Sequence, residues 1–285
     1  MKSKWFLIMP VFLSLVSGCK VIQMNSLPLD REIVIDGSDS EWTGSMVDLE
    51  KVKVSIGFYN DAKFLYVCLV PMDPSKLTAI LNQGLFVWFD AKAGREKAFG
   101  IGFPTGMLER GVVLQPPGPG ADSLETARFQ KSFDFFQDEM ELRTPGSNAA
   151  VWEPLRGVPG IEMKAGFGTG RFVYELKVPL TADNGRYAHA VGIDTSRVIS
   201  VGFETPESDG DAEIGPRPGR GSSAGSSGSG GSGGGRGSRG RGGSRGGGGS
   251  QETQAEQPGP GGEAFSGPAP INQWIELRLA GENSK

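Results

Sequence analysis

Between residues 206 and 270 the chain is dominated by Gly, Ser, Arg and Pro and has almost no apolar side chains. Such a composition cannot bury enough surface to offset chain entropy, so the segment is expected to be disordered. Any core must come from what lies on either side of it. Beyond the break, Ile275, Leu277 and Leu279 alternate with Trp274, Glu276 and Arg278, the period-two pattern of a strand. The segment therefore reads as a loop inserted before a last strand, not as a tail. Closing so long a loop is inexpensive, since each doubling of length costs only about 0.6 kcal/mol.

The chain before the insert is a series of short strand patterns. Val52, Val54, Ile56 and Phe58 alternate with Lys51, Lys53, Ser55 and Tyr59, and Asn60-Asp61 then turns into an apolar run over residues 64–70. Together these predict a hairpin. Asp73 before Pro74 predicts an N-cap with proline at the first helical position, opening a short helix over residues 76–81. Further strands are expected at residues 85–90, 97–103 and 109–114, with weaker patterns at 139–142 and 161–165. Phe172, Tyr174, Leu176 and Val178, then Ile199, Val201 and Phe203, again alternate. Many short strands with little helix predict an all-β fold, a single antiparallel β-sandwich of jelly-roll or immunoglobulin-like architecture. Roughly 180 residues suffice for one such domain with a real core.

The first residues carry an address. Lys2 and Lys4 precede an apolar run over residues 5–15, too short to span a bilayer, followed by Ser17, Gly18 and Cys19. This resembles the lipobox of bacterial lipoproteins, which implies cleavage before Cys19 and acylation of that cysteine. Two or more acyl chains make a lasting anchor, at about 0.8 kcal/mol per buried methylene. Lys20, in place of an aspartate, favours the outer membrane over inner-membrane retention. The organisation expected is a signal peptide over 1–18, a lipidated N-terminus and tether over 19–30, a sandwich over 31–205, the disordered insert over 206–270, a final strand over 271–281 and a tail over 282–285.

Ile33-Val34-Ile35-Asp36-Gly37 followed by Glu41-Trp42 resembles the opening of family 9 carbohydrate-binding modules and related DOMON-like sandwiches. Residues 55–61 with Leu65-Tyr66-Val67, residues 84–90, and Tyr174-Glu175-Leu176 before Val178-Pro179 are similar in the same order. The resemblance implies a sandwich that binds sugar. The pair of exposed tryptophans that clasps a sugar in that family has no residue-by-residue counterpart here.

The aromatic residues divide by neighbourhood. Trp42 reads as packing at the sandwich edge, and Trp88, in a run apolar on both faces, as core. Trp274 shares its face with Glu276 and Arg278, and Trp152 sits in what reads as a loop. An indole among polar neighbours is what sugar C–H faces stack on, so Trp152 and Trp274 are the carbohydrate-binding candidates. Asp36, Asp39, Glu41, Asp61 and Asp90 carry oxygen ligands for calcium but follow no loop signature, and solvated turns explain them better. Cys68 lies in the apolar run and reads as a buried, unreactive thiol. His189, the sole histidine, has no second histidine with which to hold a metal.

There is no nucleophile elbow, phosphate loop or zinc-protease motif, so no enzyme activity, cofactor or metal is expected. The net charge of −4 is mild, although Arg217, Arg220, Arg236, Arg239, Arg241 and Arg245 make the insert locally basic. Export argues against nucleic acid as a partner. The function expected is a non-catalytic, membrane-anchored lipoprotein of the cell envelope that binds carbohydrate or an envelope glycan. Its partners would be membrane lipid through acylated Cys19 and a polysaccharide. The alternatives are an envelope scaffold or assembly protein that binds another protein and, less favoured, a polysaccharide-processing enzyme.

Overall fold

The structure, a computed structural model, describes residues 21–107, 111–118, 120–145, 149–167, 170–206 and 269–281. The chain divides into two units, residues 1–210 with 266–285, and residues 211–265. The second unit, the expected signal peptide, Cys19 and the tail at 282–285 lie outside the described residues. The expected disorder of the insert falls there too, because only residues 206, 269 and 270 of it are described.

The fold is a two-sheet β-sandwich. In chain order the strands are β1 (Ile22–Asn25), β2 (Leu27–Pro28), β3 (Val47–Leu49), β4 (Val54–Asn60), β5 (Phe64–Pro71), β6 (Gly84–Asp90) and β7 (Phe99–Thr105). There follow β8 (Glu139–Arg143), β9 (Val151–Pro154), β10 (Glu162–Gly166), β11 (Val173–Pro179), β12 (Val198–Glu204) and β13 (Asn272–Arg278). One sheet has the order β1-β13-β12-β6-β7-β8-β9, and the other β10-β11-β5-β4-β2 with β3 also paired to β4. Their facing sides share one core, including Ile56, Phe58, Val67 and Leu176 from one sheet and Val87, Ile101, Val201 and Ile275 from the other.

The expected hairpin forms as β4 and β5, with Asn60 opposite Leu65. The expected last strand pairs antiparallel with β12, from Glu204 opposite Asn272 to Val198 opposite Arg278. Thr205 N–H donates to the Ile271 carbonyl at 2.9 Å, and Ile271 N–H to Thr205 Oγ1 at 2.8 Å. The insert thus has a hydrogen-bonded base, as a loop between paired strands requires. Helix α1 (Pro74–Gln83) is capped by Asp73, whose carboxylate accepts from Ser75 N–H.

Five expectations need correction. The segment expected as a tether is built into the sandwich. β1 runs parallel to β13 and β2 parallel to β4, so the chain crosses from one sheet to the other at Ser26. There Ser26 Oγ is 2.5 Å from Asn60 Oδ1, and both oxygens accept from Ala280 N–H at 2.9 Å. These two parallel edge pairs also mean that the sandwich is not purely antiparallel. Residues 111–114, expected to end a strand, form none, while 109–110 lie outside the described residues. Helix α2 (Ser123–Phe136) was not expected; Asp122 caps it by accepting from Glu125 N–H, and Phe129 and Phe133 pack it against Phe167 and Phe172. Residues 151–154, expected as loop, are the edge strand β9.

Glycines let four aromatic rings lie against the sheets. A Cβ added at Gly57 would come within 2.8 Å of Trp42, at Gly100 within 2.4 Å of Trp88, at Gly102 within 2.6 Å of Phe86 and at Gly202 within 2.9 Å of Trp274. Substituting Gly100 by Val should displace the Trp88 ring and lower stability by about 1–3 kcal/mol. Gly118, with nothing within 4 Å of an added Cβ, is the control: G118A should leave the urea midpoint near the parent value, and G100V should lower it.

Candidate functional site

Two outward faces of the sandwich gather the residues that matter. On the six-stranded sheet, the outward side chains of β4, β5 and β11 are covered by the segment that precedes β3. Ile33 and Trp42 pack with Tyr59, Tyr66, Cys68, Val70 and Val173 in a second, smaller core. Trp42 is fully buried and meets Tyr59 at 5.3 Å between ring centroids.

Glu175 sits at the centre of this packing, with none of its surface exposed. One carboxylate oxygen accepts from Trp42 Nε1–H at 2.8 Å, and the other from Gly37 N–H at 2.7 Å and Asp36 N–H at 3.0 Å. The turn at Asp36–Gly37 can present both amides because Gly37 adopts φ 84°, a conformation glycine takes at little cost. The Asp-Gly, Trp and Tyr-Glu-Leu patterns that stand far apart in sequence therefore meet at one carboxylate. Sequence reading missed Glu175, which alternates with apolar residues as a solvent-facing strand residue would.

The five acids weighed as calcium ligands are engaged within the protein, and Asp36, Asp61 and Asp90 each serve their own turn. Asp36 accepts from Ser38 N–H at 2.8 Å and Asp61 from Lys63 and Phe64 N–H at 2.7 Å. Asp90 accepts from Lys92 N–H at 2.9 Å and Glu96 N–H at 3.0 Å. Asp39 pairs with Arg171, and Glu41 accepts from Ser40 Oγ at 2.9 Å. No group of three metal-ligating side chains occurs among the described residues. Cys68 is a buried free thiol, pushed well above its ordinary range by burial first and then by the charges of Glu175 and Asp39. His189 lies parallel to Phe99, 6.4 Å between ring centroids.

The outward face of the seven-stranded sheet carries both candidate tryptophans. Cross-strand register puts Trp274, Gly202, Trp88, Gly100 and Arg143 in one row. Asn272, Glu204, Phe86, Gly102, Glu141 and Trp152 form the next. Trp152 and Trp274 are half-buried. They are five strand spacings apart, about 24 Å at the usual interval, so they cannot clasp one sugar between them.

Trp88 and Phe86 lie between the two, stacked at 5.3 Å with 16° between planes and only 5% and 8% exposed. Trp88 is thus buried as expected, but on the outward face rather than in the core between the sheets. Lys97 Nζ stands 5.4 Å from the Trp88 ring centre and the Arg143 guanidinium 5.1 Å from that of Phe86. Each cation is held by a carboxylate: Lys97 by Glu204 at 2.6 Å, and Arg143 by Glu141 at 2.6 Å. Glu204 also accepts from Trp88 Nε1–H at 2.8 Å. Sequence reading missed these four charged residues; Glu204 reaches Lys97 and Trp88 only through pairing between segments distant in sequence, whereas Glu141 and Arg143 stand two residues apart on β8.

Burial raises the Glu175 carboxyl to about 7 from an ordinary 4.5, against the pull of its donors Trp42, Gly37 and Asp36. The native state therefore binds more protons than the unfolded chain between those values, and stability from this group falls as pH rises through the window. Urea unfolding between pH 4.5 and 7 should show that decline. The Glu175→Gln chain, less stable at low pH because an amide cannot accept on both sides, should lose its slope.

No protein-family model and no curated protein matches the chain. Among solved structures, it is similar to a carbohydrate binding module family 9 (CBM9) from Caldicellulosiruptor kristjanssonii in complex with glucose. The likeness covers 66% of this chain and 80% of that one, at 11% identity and a TM-score of 0.29. It supplies no residue-level correspondence between the two.

Proposed function

We propose that this sandwich is a non-catalytic carbohydrate-binding domain, held at a membrane by acylated Cys19, whose ligand is an extended glycan lying across the outward face of the seven-stranded sheet. The observation that carries the reading is the placement of Trp152 and Trp274 on one face, with Glu141–Arg143 and Glu204–Lys97 between them. Indole faces take sugar C–H surfaces, and the paired charges offer both donors and acceptors to hydroxyls. The wide spacing favours a chain that spans several strands over a single sugar.

The anchor rests on the lipobox resemblance alone. Ile22 is already paired with Ile275, so only Lys20 and Val21 separate Cys19 from the sheet. An acylated chain would then hold the start of β1 within about 10 Å of its anchor point, the reach of three extended residues. The Cys19→Ser chain should fail to incorporate labelled palmitate and should leave the membrane fraction. If it stays membrane-bound and labelled, the anchor is elsewhere.

Adsorption of the full-length chain to insoluble polysaccharides, with a glycan array to find the sugar, tests the binding. Trp152→Ala and Trp274→Ala should each weaken adsorption by up to about tenfold, the worth of about 1.4 kcal/mol of stacking. At their separation the two losses should combine nearly additively. Adsorption that is absent, or indifferent to both substitutions, would remove the reading.

A further inference from the structure

A cleft of about 510 Å³ opens on the outward side of the other sheet, where α2 faces β10 and the turn at Asp36–Gly37. That volume is within the ordinary range for small-ligand pockets, about 300–1,000 Å³. Ser123, Thr126, Ala127, Gln130 and Asp134 recur along α2 at helical spacing and form one wall. The adjacent flank of the helix is fixed by Phe133, which is fully buried against Phe172. Lys164 and Phe167 form the second wall, and Asp36 with Gly37 the third. The third wall is pinned from behind, because the Asp36 and Gly37 amides are both bound by Glu175.

The polar groups of the cleft are held in one network. Asp134 Oδ1 is 2.6 Å from Lys164 Nζ and accepts from Gln130 Nε2–H at 2.9 Å. Gln130 Oε1 in turn accepts from Phe167 N–H at 2.9 Å. Lys164 retains further N–H donors, Asp134 further lone pairs and Gln130 a second N–H. Gly37 and Gly166 leave the floor without side chains; a Cβ at either would come within about 3.3 Å of Lys164 or Gln130. With Asp36 and Asp134 against Lys164 the lining repels an anion, and the Lys164 ammonium already held by Asp134 opposes a cation. The cleft suits a neutral molecule whose every polar group both donates and accepts, with an apolar C–H face for Phe167.

We infer that this cleft is a second binding site, for a single neutral sugar or the end of a glycan chain, independent of the flat tryptophan face. It deepens the carbohydrate reading and rests on it only for the class of ligand. Lys164 and Asp134 are its hydroxyl-binding pair, and Ala127 marks the open space between the walls.

Isothermal titration of the full-length protein in detergent with D-glucose, D-mannose and N-acetyl-D-glucosamine tests it, with ethanolamine and acetate as charged controls. One of the sugars should bind with a dissociation constant on the order of a millimolar, as expected for so small a ligand. Ala127→Trp, at an exposed helix position that perturbs no core packing, should abolish the heat. Lys164→Ala should weaken binding at least tenfold, and Lys164→Gln, which restores a donor, should recover part of it. Thermal unfolding of each variant checks that the fold is intact. No saturable heat with any sugar, binding of a charged control instead, or a sugar response that survives Ala127→Trp would overturn the proposal. If sugar titrates while polysaccharide adsorption fails, the flat face is wrong and the cleft stands; the reverse result rejects the cleft alone.

Discussion

The carboxylate of Glu175 is the interaction on which the six-stranded face depends. A buried carboxyl is costly to ionise, and three N–H groups from the segment before β3 offset part of that cost. Hydrogen bonds to a charged group contribute about 1.5–3 kcal/mol each, and more is lost when one partner is removed and the charge stays buried. The same three bonds tie that segment down over Cys68, Val70 and Val173. Without them the turn at Asp36–Gly37 would lose its anchor, the small core would open to water, and the cleft beside α2 would lose a wall. The fully buried Trp42 is thus both cover and ligand: its ring fills the space above Gly57 while its N–H neutralises part of the charge.

Both sheets use the same device to present a flat outer surface. A ring can lie against a strand only where the neighbouring residue has no Cβ, and Gly57, Gly100, Gly102 and Gly202 supply that room under Trp42, Trp88, Phe86 and Trp274. The difference lies in what comes above. On the six-stranded sheet it is a stretch of main chain that ends in a packed core. On the seven-stranded sheet it includes the cationic ends of Lys97 and Arg143, which rest over Trp88 and Phe86 and leave Trp274 half-buried at the flank.

What was legible in the sequence follows the range of the forces involved. Alternation between apolar and polar residues is local, so β4, β11, β12 and β13 stand out through the patterns that begin at Val52, Phe172, Ile199 and Ile275, and the apolar run from Phe64 marks β5. Asp73-Pro74 likewise marks α1. Helix α2 carried a local signal that was overlooked, Asp122 three residues before Glu125 with Phe129 and Phe133 one turn apart. β1 had none to offer. Its parallel pairing with β13 joins residues separated by 253 positions, and nothing near Ile22 encodes that partner. The same holds for the site. The exposure of Trp274 was readable from Glu276 and Arg278, but register alone brings Trp152 to the same face and Glu204 to Lys97 and Trp88.

The charged pairs on the seven-stranded face matter for geometry more than for attraction. Lys97 is half-exposed and Arg143 nearly so, and pairs of that kind contribute about 0–1 kcal/mol to stability. Their worth lies in position. Glu204 holds Lys97 and the Trp88 N–H together, so the cation cannot swing away without leaving a nearly buried indole donor to find water. Glu141, itself only 6% exposed, fixes Arg143 over Phe86 in the same way. The surface between the two outer tryptophans is therefore a rigid, internally neutral array of donors and acceptors. The glycan proposed for such a surface would be held by stacking at the flanks and matched hydroxyls between them, with little effect of salt.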